Sequence, residues 1–157
     1  MYQWLVFAHI ASVFVFLLAH GVSAAVVFRV RAEKDVATLR ALLDLSALAV
    51  MVSFYSLAAL LIAGIAAAFV GRWWGFGWPW AALAALVVIW FSMALETGPA
   101  MRRLRRAAGF SGPRQIIAAV KPEELAAAQA TVRPWLSATI GGAGLLVILW
   151  LMTLKPF

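Results

Sequence analysis

The sequence predicts an all-α fold: four transmembrane helices in one bundle, with both termini on the outer face of a membrane. Three observations lead there. Of the 157 residues, 66% are hydrophobic and only 12% are charged, against roughly 25% charged in an ordinary soluble domain. The apolar residues gather in four runs near the length a spanning helix needs, roughly 20 residues. The cationic residues gather in the two long stretches between runs.

The first span covers about 4–28. It carries no Lys or Arg before Arg29, so it lacks the charged start of a secretory signal, and its apolar run is too long for one. It is expected to remain as a membrane helix. The second span covers about 45–70. Asp35 is the expected N-cap of a helix DVATLRALLDLS that runs on into it. The link GRWWGFGWP, rich in Gly, Trp and Pro, should be a tight interfacial turn. The third span covers about 78–100, and its basic extension should end at GFSGP, residues 109–113. Lys121-Pro122-Glu123-Glu124 opens a short helix, with Pro in the first turn and carboxylates at its positive end. Arg133-Pro134-Trp135 turns the chain into the fourth span, about 135–154. Residues 1–157 thus form a single integral membrane domain without a convincing repeat, which speaks against an inverted-repeat transporter.

Orientation follows from charge. All but two of the 13 cationic residues, Arg72 and Lys155, lie in the connectors 29–44 and 101–134. Those connectors are therefore expected in the cytoplasm of a bacterial inner membrane. Trp4, Trp73, Trp74, Trp78, Trp80 and Trp150 then fall at the outer interface, and Trp135 at the inner one. The net charge of +7 reads as attraction to anionic lipid, not to nucleic acid. Arg102, Arg103, Arg105 and Arg106 are the expected lipid anchors.

The chain has no cysteine, which removes disulfides, thiolate metal sites and cysteine nucleophiles. Soft copper(I) ligation is disfavoured for the same reason. Ionisable groups inside a membrane are functional candidates, and three remain: His9, His20 and Glu96. His9 and His20 are 11 residues apart, about 20° from eclipse on one helix face. One imidazole, or both, can serve as a haem b ligand, although one rigid helix cannot place both on a single iron. Met51, Met93 and Met101 are weak candidates for a second ligand. Two alternatives stay open: a proton or cation path through His9, His20 and Glu96, and purely structural hydrogen bonding between helices. Glu96 can pair with His20 at similar depth, or with Arg102 or Arg103 at headgroup level.

Small residues mark expected helix contacts: Gly21 with Ala25, Gly64 with Ala68, Ser137 with Gly141, and Ala138 with Gly142. Ser53, Tyr55, Ser56 and Ser92 are candidates for hydrogen bonds across helices.

A first helix opening WLVFAHI, four spans, a basic second connector and the closing WLMTLKPF resemble a group of bacterial four-helix integral membrane proteins. These are loosely similar to the membrane region of copper-resistance protein D and to the membrane-bound protoporphyrinogen oxidase type. The resemblance matches His9 to a histidine early in the first helix of those proteins. In the oxidase type that histidine is associated with haem and accompanied by a lysine in a later helix. No lysine stands in the second or third span here. The resemblance therefore implies a fold and a haem site, but not that activity. The expected role is a haem-b-associated or redox-complex membrane subunit, with a cofactor-free accessory subunit as the alternative. In either case a homo-oligomer or a larger membrane assembly is expected.

Overall fold

The computed structural model describes residues 1–111 and 119–157, which fold as five α-helices and one short 3₁₀ turn. Helix α1 spans Tyr2–Val30, α2 Val36–Val70, α3 Gly77–Ala107, α4 Pro122–Ala130 and α5 Pro134–Leu154. The 3₁₀ turn, Trp73–Gly75, links α2 to α3. Four of the segments are long and apolar enough to cross a membrane, so the protein is an all-α, multi-pass four-helix bundle. Gly112, Pro113 and Arg114, the last part of the expected break and basic cluster, lie outside the described residues.

Local chemistry sets the ends. The Asp35 carboxylate accepts a hydrogen bond from the Thr38 amide at 2.8 Å, so α2 is capped as expected. That bond holds the Asp35 carboxyl below its ordinary range. Pro122 occupies the first turn of α4. The Lys121–Glu124 pair at 2.8 Å holds the lysine above its ordinary range. Helix α3 runs through Pro99 to Ala107, so the expected basic extension of the third span is helical. Gly109 then takes a positive φ of 93° and turns the chain away.

The helices pack as two antiparallel pairs, α1 with α2 and α3 with α5. For α3 and α5 the register is set by three contacts. Thr97 and Ser137 hydroxyls bond at 2.8 Å, Met93 lies beside Gly141, and Ile89 covers Gly144. Helix α5 meets α1 at His20 and Gly141 and at Phe28 and Trp135, and just beyond these helices Arg31 donates to the Val132 carbonyl.

The continuous core lies at the basic end, not midway along the spans. Val26, Val27 and Val30 of α1, Leu39 and Leu43 of α2, and Ala100 and Leu104 of α3 pack with Phe110, Leu125, Ala128 and Val132. Arginines serve the backbone there. Arg31 donates to the Val132 carbonyl, Arg40 to the Ala108 carbonyl and Arg105 to the Leu43 carbonyl, each at 2.8 Å. Gln129 donates to the carbonyls of Val30 and Glu33. The Val30 and Ala108 carbonyls lie at the ends of α1 and α3, where free carbonyls need such partners.

The opposite end is aromatic. Trp78 is buried there. It stands against Trp73, and Lys155 places its ammonium over both rings. The Phe157 carbonyl accepts from the Trp78 amide at 3.1 Å, which occupies a free donor at the start of α3.

Candidate functional site

The two intramembrane histidines occupy separate contacts. His9 projects from α1 onto α2. Its Nδ1 lies 2.8 Å from the Leu60 carbonyl. A carbonyl can only accept, so Nδ1 carries the proton and Nε2 is left as the ring's acceptor. Gly64 makes the approach possible. A Cβ built there would fall 2.8 Å from Nδ1 and 2.9 Å from Cε1, closer than any ordinary contact. The ring thus fills a notch whose floor is the α2 backbone, and it bonds to a carbonyl four residues earlier on the same helix. Ala68, one turn on, is buried as its small-residue pairing with Gly64 suggested.

His20 makes the second contact. Its ring stacks on Phe16 of the preceding turn, with centroids 5.6 Å apart. Its Nε2 lies 3.0 Å from the position of a Cβ on Gly141 of α5, and the Met93 methyl lies 3.9 Å from that position. Among the described residues the His20 ring has no hydrogen-bond partner; its contacts are with Phe16, Gly141 and Met93. The two imidazoles share a face of α1, as their spacing requires, yet they meet different helices.

Glu96 does not join His20. Its carboxylate lies 3.6 Å from the Arg133 guanidinium, and neither Arg102 nor Arg103 is its partner. The α3–α5 register explains this. Arg133 stands one turn before Ser137, and Ser137 is already paired with Thr97, the neighbour of Glu96. Arg102 instead folds back over Gly98 of its own helix.

The expected small-residue contacts divide. Gly141 and Gly144 are covered, but Gly142 has open space and Ala138 is only half-buried. Gly21 also has open space and Ala25 is exposed. The notch for His20 is therefore on the opposite helix, not beside it in sequence. The serines divide as well. Ser56 and Ser92 bond back to carbonyls of their own helices, Ser53 Oγ is buried without a partner, and Tyr55 is exposed. The hydroxyls that do reach across are Ser23 to Ser46, at 3.5 Å, and Thr97 to Ser137.

The arginine quartet is not uniform. Arg102, Arg103 and Arg106 are exposed. Arg105 turns inward, to the Leu43 carbonyl, the Asp44 carboxylate at 3.3 Å and the Phe110 ring at 4.1 Å. Its expected role as a lipid anchor gives way to joining α3 to α2.

The donor set for a haem differs between the histidines. Metal-bound imidazoles usually donate their second N–H to a carbonyl or carboxylate, and His9 has that arrangement. At His20 the α5 backbone stands against Nε2, so a macrocycle does not fit on that side. Among the described residues no group of three or more His, Cys, Asp or Glu is placed to hold a metal ion. No family model, curated protein or solved structure matches the chain.

Proposed function

We propose that this protein is a non-enzymatic accessory subunit of a bacterial inner membrane, a helical scaffold that joins a larger assembly through its exposed apolar flanks. One observation carries the reading. Both intramembrane imidazoles are wedges set in glycine notches of neighbouring helices, and the His9 N–H bonds the α2 backbone, so the rings serve helix pairing. The charge asymmetry supports cytoplasmic connectors and outward termini. Large apolar side chains such as Phe14, Leu18, Phe54, Val88 and Leu146 remain exposed along the spans, free to meet lipid or other subunits. The test is native electrophoresis of gently solubilised membranes, combined with crosslinking. Migration well above the 17.0 kDa of one chain, lost when Leu18 or Phe54 is changed to a charged residue, supports the scaffold. Monomers in every mild detergent contradict it.

A second reading has its own support. The hydrogen bond from His9 Nδ1 to the Leu60 carbonyl leaves Nε2 as a metal-ligating atom. His9 would then hold the iron of a haem b, which supplies one-electron transfer when bound. The reduced-minus-oxidised visible spectrum of protein from haem-replete cells decides. Soret and α bands that vanish in His9→Ala and persist in His20→Ala favour this reading, and a colourless protein contradicts it.

A further inference from the structure

We propose that the groove between the basic end of α3 and the α4–α5 corner binds the phosphate headgroup of an anionic phospholipid. The site is independent of the histidines. Two adjoining hollows of about 370 and 510 Å³ share Arg103 and Thr131 on their walls. Arg106 lines one of them and Arg133 the other.

The charges in the groove are unequally spent. Glu124 is held by Lys121 at 2.8 Å. Glu96 faces Arg133 at 3.6 Å, beyond hydrogen-bonding distance, and the Arg133 side chain is 68% exposed. Arg103 is exposed and has no ion pair among the described residues. An unpaired guanidinium and a loosely paired one on one groove suit a phosphate, which accepts such forks in pairs. The Glu96 carboxylate opposes the anion, so the phosphate must take Arg133 over from it.

The surroundings point to a lipid as the source of that phosphate. Leu95 lines the groove and is exposed, and Phe91, Val88 and Val87 continue the exposed strip along α3. Their spacing keeps them on one helix face, which gives an acyl chain a path away from the headgroup. Trp135, two residues past Arg133 and exposed, is the residue type that settles at headgroup level.

Thermal unfolding of the full chain in neutral detergent, followed by circular dichroism, tests the site. Dioleoyl phosphatidylglycerol should raise the midpoint saturably, by about 3 °C. Dioleoyl phosphatidylcholine and inorganic phosphate should not. Arg103→Gln should weaken the lipid affinity at least threefold, and Arg72→Gln, at the opposite end of the bundle, should leave it unchanged. Glu96→Gln should strengthen it, because the competing carboxylate is gone. That gain keeps the test valid if Arg103→Gln fails to fold. Equal shifts with phosphatidylcholine, an equal shift with inorganic phosphate, an equal loss in Arg72→Gln, or an unchanged affinity in Glu96→Gln would each overturn the proposal.

Discussion

The basic end and the membrane-spanning middle of this bundle are built on different rules. At the basic end four helices, α1 to α4, share one apolar core, and Arg31, Arg40, Arg105 and Gln129 donate to carbonyls across it. In the middle the helices touch through small notches and a few hydroxyl pairs, and their flanks stay open. Burying apolar surface from water drives the first kind of packing. That force is absent between helices in lipid, where close backbone approach and hydrogen bonds must serve. The protein holds itself together where water reaches it and leaves its lipid-facing surface available.

Truncations should separate the two regions most sharply. Leu39 and Leu104 are both 0% exposed, so Leu39→Ala or Leu104→Ala should cost about 2–5 kcal/mol. Leu18→Ala, on an open flank, should change stability by less than about 0.5 kcal/mol. Denaturation in detergent checks both, and equal losses would erase the distinction. Arg105→Gln comes next, with an expected loss of about 1–2 kcal/mol from breaking its contacts with the Leu43 carbonyl, the Asp44 carboxylate and the Phe110 ring. Arg102→Gln should be close to neutral.

In the middle, Gly141→Ala should cost about 1 kcal/mol, because the new methyl meets His20 Nε2 at 3.0 Å. Gly142→Ala points into open space and should be neutral or slightly stabilising. A reversal of that order would show that the α1–α5 contact is wrongly placed.

The smallest effect belongs to the α2 cap. Asp35→Ala should lower the melting midpoint by roughly 2–4 °C at neutral pH. The Asp35 carboxyl is held below its ordinary range, so its contribution is complete above about pH 4. It is lost as pH falls through the lower folded-state value. The wild-type advantage over Asp35→Ala should therefore be flat from pH 8 to 5 and shrink under stronger acid. An advantage that grows on acidification would contradict the cap.

Much of the architecture was legible in the chain. Run length gave four spans, Asp35 marked the start of α2, and Pro122 marked α4. Both follow from local rules that need no knowledge of neighbours. The contacts were less legible. Gly64 stood out as a small residue, but nothing local says that His9, 55 positions earlier in the chain, fills it. Gly141 and Gly142 look equivalent in sequence, yet 100° of helix rotation puts one against His20 and the other outside. The Glu96–Arg133 pair depends on the α3–α5 register, which the Thr97–Ser137 bond reveals only in three dimensions. The inward turn of Arg105 was hidden because four neighbouring arginines look alike until a helix axis distributes them.

The most direct test of the notch contact is a double-mutant cycle between His9 and Gly64. In the wild-type background Gly64→Ala should cost about 1–3 kcal/mol, because the added methyl would stand 2.8 Å from the ring. In a His9→Ala background the same change should be neutral or stabilising, since the notch is then empty. An equal loss in both backgrounds would contradict the claim that the imidazole is a wedge between α1 and α2.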